Sequence, residues 1–514
     1  MTKEMTQNLL ASVLLLAAAV GARAENFAAR NGGLAFFDPL VQFINVTVTP
    51  RDAKTATIRF DIRWEDSWRN DINHDAAWVF LKARADDKSE WQHVRLAADR
   101  VLNPSGFGQA PAVSRPSATN NALLYYQGRP ADSRVGGIES NPDIFPSPRA
   151  ANYTRLEFLV PNGGDGFSGV FVRRSERGGG TVTARGVTLV CDLTSLKGIA
   201  DFGKAQVRPF GLAMVYVAEG PFYLGTSGPE PGSFYAYDGG GTKTPPYRVM
   251  SAGAIPTGRQ PGRLWARPGA QPEDGGDIPA TFPNGYGAFY CMKKHITNRN
   301  WSEFLETLTP AQSDARYCAE CHRVVRRGTS PNYAYQFGIG GARDGAAMRY
   351  ISWEDGASFA AWAGLRPMTE LEFEKVVRGF RVPVIEEVGP SYWKIAGIGV
   401  WPWDSIKSWE THCERAVTVG NAKGRSFTGT HGRGTLELPA DWPQADAVGS
   451  GRRYNHFPDL SQTRVSDRLG AATADTTRRD SYKFRCVRTA PHEADPSATG
   501  SITGKPSEDE NSDP

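Results

Sequence analysis

From Leu34 to about Phe210, apolar and polar residues alternate with a period of two. Ile44, Val46 and Val48 form one such row, and Ala56, Ile58, Phe60, Ile62 and Trp64 form another. One apolar and one polar face per segment predicts half-buried antiparallel strands. Further strand-like runs fall at Ala77 to Ala83, Arg155 to Val160, Val170 to Arg173 and Thr181 to Asp192, with no helical periodicity between them. Together they predict an antiparallel β-sandwich over residues 25–210. The stretch 103–150, rich in Pro, Ser, Asn and Gly, reads as a long surface excursion.

Beyond residue 210 helical signals enter. Trp301, Phe304, Leu305 and Leu308 recur at helical spacing behind Thr297, a natural N-cap. Ser352 with Asp355, and Thr369 with Glu372, form capping boxes, and each opens a helix that stops at a glycine, Gly364 and Gly379. The segment 226–287 shows little periodicity and reads as loop. An α+β second domain over 211–490 is expected, followed by an acidic tail, 491–514, too poor in large apolar residues to fold.

The chain has 514 residues, enough for two domains. Lys3, the apolar run Leu9 to Val20 and the small-x-small site Ala22-Arg-Ala24 predict an export signal over 1–24. No later stretch is long and apolar enough for a membrane span. A periplasmic or extracellular location follows. A net charge of +4, with bases dispersed among acids, does not suggest a nucleic-acid partner. Six cysteines in an exported chain favour disulfides.

Cys318-Ala-Glu-Cys321-His322 has the spacing of covalent haem c attachment, in which two thiols bond the porphyrin and the histidine ligates iron. Met348, or second His412, would supply the distal ligand. A local Cys318–Cys321 disulfide is the competing reading. Zinc lacks a third and fourth ligand at suitable spacing. Trp64, Trp68, Trp78 and Trp91 lie among charged residues, which suits either carbohydrate stacking or a sandwich core. No Ser/His/Asp set, His-Glu-x-x-His helix or phosphate-cradling loop supports a hydrolase or nucleotide-dependent enzyme.

Four segments, taken in order, carry a resemblance: Met214 to Gly225, Ile351 to Gly364, Leu365 to Gly379 and Phe484 to Arg488. They resemble the formylglycine-generating enzyme family, also called the sulfatase-modifying-factor family. Phe289 to Asn298 and Trp401-Pro-Trp-Asp404 fit further family stretches. The resemblance implies a C-type-lectin-like domain with few helices and much loop. It also implies oxidation of a sulfatase cysteine, in a Cys-x-Pro-x-Arg sequence, by oxygen and a copper ion held between two thiolates. The matching region, about Tyr454 to Tyr482, contains Arg464-Val-Ser-Asp467-Arg468 and no cysteine. Catalysis is therefore not carried over, and copper is not expected.

Arg464, Asp467 and Arg468 are candidates to line the former substrate groove, with surface ion pairs as the competing reading. The family's calcium turn has its nearest counterpart in Glu410 to Glu414, where only Glu414 keeps its residue type. Cys486 occupies a position that the resemblance gives to a structural disulfide, and Cys291 is its expected partner. Cys191 and Cys413 remain, as a linking pair or as two buried thiols. The expected function is a non-catalytic binding or structural module for a protein or carbohydrate ligand. The alternatives are the formylglycine-generating oxidase and a c-type haem protein.

Overall fold

The computed structural model describes residues 40–71, 73–97, 125–127, 153–154, 156–159, 161, 167–240, 244–266, 276–321, 324–330, 332–337, 345–385, 391–393, 395, 412–444, 452–454, 464–468 and 477–491. The expected signal 1–24, the tail beyond residue 491, most of the excursion 103–150, the segment Trp401 to Asp404 and His322 lie outside them.

Among the described residues the fold is mostly antiparallel β-sheet with five helices. The period-two rows become β1 (Gln42–Pro50) and β2 (Thr55–Arg69), followed by β3 (Asp75–Arg84), β4 (Gln92–Leu96), β5 (Tyr125–Gln127), β6 (Tyr153–Thr154), β7 (Leu156–Leu159), β8 (Val170–Arg174), β9 (Gly178–Asp192) and β10 (Gln206–Val217). The main path runs β1-β2-β9-β4-β3-β10 and continues through Phe289–Met292, Cys486–Thr489 and Arg366–Pro367. The alternating row of β2 is buried, with Ile58, Phe60, Ile62 and Trp64 fully enclosed. It packs with Val187 and Leu189 of β9 against Val79 and Leu81 of β3 and Val172 of β8.

β3 is buried on both faces, and its pleat splits it between two cores. Ala77, Val79, Leu81 and Ala83 join the core just described. Ala76, Trp78 and Phe80 face a second core shared with Trp301, Phe304, Phe359 and Trp362 from the helical half. β10 pairs along β3 from Gln206 to Val215 and with Phe289–Met292 from Met214 to Val217. The boundary expected at 210/211 thus falls inside a strand common to both halves.

The helices are α1 (Asn298–Leu305), α2 (Pro310–Arg316), α3 (Trp353–Trp362), α4 (Glu370–Arg378) and α5 (Ala422–Arg425). Thr297, Thr309, Ser352 and Thr369 each cap the helix that follows, through a complete capping box. After α4 the chain turns at Gly379 with φ of 66°, and a Cβ there would lie 2.3 Å from the Tyr392 ring. Only glycine fits both the angle and the contact. Sequence periodicity did not mark α2, nor the ribbon formed by Val324–Thr329 and Asn332–Phe337. The expected loop 226–287 contains short paired strands, Phe234–Ala236 with Leu264–Ala266 among them.

The C-terminus of α3 joins the two halves. Its last carbonyls would be orphaned in a buried setting. Lys82 Nζ donates to Trp362 O at 3.0 Å, Trp78 Nε1 to Ala363 O at 2.8 Å, and Arg488 to Gly364 O. The Arg488 guanidinium at the negative end of the helix also complements its dipole. Among the described residues no helix is long and apolar enough to cross a membrane.

Candidate functional site

α4 is buried over its whole length although it carries five charged residues. Glu372 takes two bonds from Arg366, at 2.6 and 2.9 Å, and Glu374 accepts from Arg378 at 3.0 Å and from Gly225 N at 2.7 Å. Lys375 donates to Gly285 O and Tyr286 O beneath the rings of Phe222, Phe289 and Phe380. Burial there pulls its amine down to about 7, against smaller opposing effects of Glu372 and Glu219. Glu370 is clamped by Arg468 through two bonds, at 2.7 and 2.8 Å, while the Arg468 guanidinium lies 3.6 Å from the Phe234 ring centre.

This network settles where the three candidate groove residues sit. Asp467 and Arg468 are buried, and Arg464 is half-buried. Arg468 also donates to Gly232 O at 2.7 Å, and neighbouring Ser466 accepts from Arg378 at 2.8 Å. Arg468 therefore holds the 464–468 turn onto α4.

The expected Cys291–Cys486 disulfide is not formed; both thiols are free and buried. Cys291 is in register with Val487, so the pleat turns Cys486 to the opposite face of the sheet. Cys291 packs in one core with Met368 and Val487, and Cys486 in another with Phe484 and Trp353. Cys191 is a third buried free thiol. Burial pushes all three thiols up, away from the thiolate form that copper requires. The side chains of His412 and Cys413 are outside the described set.

Cys318 and Cys321 are joined to each other by a disulfide, and Cys321 N–H donates to Cys318 Sγ at 3.1 Å. Met348 is buried in the helical core. Glu414 is fully buried, accepts from His295 at 2.7 Å and lies 3.7 Å from Arg485. Burial opposes its charge, but His295 and Arg485 prevail and hold the carboxyl below its ordinary range. A calcium ion needs six or more oxygen ligands and would meet a guanidinium here, so the described residues around Glu414 do not fit it. No group of three or more His, Cys, Asp or Glu side chains among the described residues is placed to hold a metal.

A cleft opens where β3 and β4 meet α2, the end of α3 and the 433–436 loop. Lys82 lies at its base. It falls in the row of Ala76, Trp78 and Phe80, which explains its burial, and burial lowers its amine well below the ordinary value. Beside it, His93 Nε2 donates to Ser168 O at 2.7 Å, which fixes the neutral tautomer and leaves Nδ1 as an acceptor. Burial, and then the Lys82 charge, keep this imidazole neutral well below its ordinary titration range. Gly434 closes over the ring with φ of 81°; a Cβ there would lie 2.0 Å from His93 Cγ.

The cleft wall is fixed by local bonds. Gln92 and Lys197 exchange reciprocal side-chain-to-backbone bonds of 2.7 and 2.8 Å, and Trp362 Nε1 donates to Thr307 Oγ1 at 2.8 Å. Trp91, half-buried, lines the cleft with Arg84 stacked 4.7 Å from its ring centre. Trp64 and Trp78 are core residues. The cleft was not foreseen from sequence, although one signal was available: Lys82 occupies an inward position in an otherwise apolar row.

Neither protein-family models nor curated proteins give a match to this chain.

Proposed function

We propose that the chain is an exported, non-catalytic binding module, built on a scaffold resembling that of the formylglycine-generating enzymes and the C-type lectins. One observation supports this reading most. Where the resemblance calls for two copper-holding thiolates, between Tyr454 and Tyr482, there is no cysteine, and Arg468 from that region is bonded to Glu370 in the interior. Burial pushes the described free thiols up, away from the thiolate form, so they offer no substitute pair. Ligand binding is assigned to the cleft between β4 and the 433–436 loop.

The test is incubation of purified protein with a Cys-x-Pro-x-Arg peptide, copper and oxygen, followed by aldehyde-selective labelling of the peptide. No aldehyde is expected. Catalytic formation of formylglycine would overturn the reading.

A further inference from the structure

The cleft concentrates charge of one sign. Arg95, Lys197 and Arg433 are exposed cations on its lining, against a single carboxylate, Glu90. None of the three cationic side chains has an ion-pair partner among the described residues. Many other arginines are differently placed: Arg69 and Arg173 share Glu157, Arg366 holds Glu372, and Arg478 holds Asp355. Cations that converge unpaired on a concave surface focus a positive potential and favour an anionic ligand. Lys82 at the base adds a fourth basic group that faces no carboxylate, being held by backbone carbonyls alone.

The second observation is aromatic. Trp91 lines the same cleft, half-buried, and its indole suits a sugar face. His93 Nδ1 lies beneath Gly434, out of reach of a ligand. The cleft thus calls for a ligand that carries acid groups on a saccharide frame.

We infer that this cleft binds an acidic saccharide bearing carboxylate or sulfate groups, with Arg95, Lys197 and Arg433 on the acid groups and the Trp91 indole against a sugar face. The inference rests on the binding-module reading and names its ligand class.

The test is titration calorimetry of the full chain with a galacturonic acid tetramer and a heparin-derived tetrasaccharide, which separate carboxylate from sulfate recognition. A neutral glucose tetramer, a polyglutamate peptide and single-stranded DNA serve as comparisons. Saturable binding of at least one acidic saccharide is expected, weakening as salt is raised. Arg433→Ala and Arg95→Ala should each weaken it by about tenfold, with Arg433→Lys restoring part of the loss. Arg177→Ala, at an exposed arginine paired with Asp71 outside the cleft lining, should leave it unchanged. The inference is overturned if neither acidic saccharide binds, if both cleft variants bind like the parent, or if polyglutamate or DNA binds as tightly as the saccharides. Such a failure leaves the binding-module reading standing, whereas peptide oxidation would remove that reading whether or not a saccharide binds.

Discussion

Buried bases set the pH response of single residues. His74 accepts from Arg173 at 3.0 Å, and His431 Nε2 accepts from Thr489 N at 3.0 Å; both bonds require a neutral ring. Burial and then Arg173 lower the pKa of His74 well below its ordinary 6.5, and burial and then Arg366 bring His431 down to about 3. Below 6.5 the unfolded chain therefore binds protons that the folded chain refuses, so stability falls as pH drops. Denaturant titrations at pH 7.5 and pH 5 should show a lower midpoint at pH 5. Lys375 acts in the alkaline range. Between about 7 and 10.5 its unfolded form holds a proton that its folded form does not, so stability rises with pH across that window. Lys375→Met should flatten this rise in urea titrations at pH 7 and pH 9.5; an undiminished rise would contradict a neutral buried amine. None of these settings was legible from residue type alone, because burial is decided by distant packing.

At the scale of elements the legibility reverses. Thr297, Ser352 and Thr369 marked their helices because an N-cap works through bonds within four residues, whatever the rest of the chain does. The Thr309-Pro-Ala-Gln312 box was equally local and could have revealed α2. Strands β2, β3, β8 and β9 were visible as apolar rows, whereas the Cys291–Cys486 pairing failed on register, a property of two strands at once. α4 exemplifies what sequence conceals. Its charges suggest a solvated helix, yet its core position depends on Arg366 and Arg468 arriving from elsewhere. Removing one partner of a buried pair costs about 3–5 kcal/mol, so Arg468→Met should destabilise the fold by that order in equilibrium unfolding. Thr369→Ala should cost about 1 kcal/mol, the usual worth of an N-cap. An Arg468→Met variant as stable as the parent would show that the clamp on Glu370 contributes little.

In the whole molecule, the halves read as separate domains share β10 and a core in which Trp78 and Phe80 meet Phe304 and Trp362. A sequence shows two textures, period two and then helical spacing, but not that one strand belongs to both. The same junction forms the cleft, whose residues come from positions as distant as His93 and Arg433. Its function as a ligand site is the central claim, and hydrogen exchange of the full chain with and without the heparin-derived tetrasaccharide tests it most directly. Ligand-dependent protection confined to residues 90–97, 193–197 and 432–436 is expected. Protection absent there, or centred on residues 464–468, would contradict a ligand site at the junction.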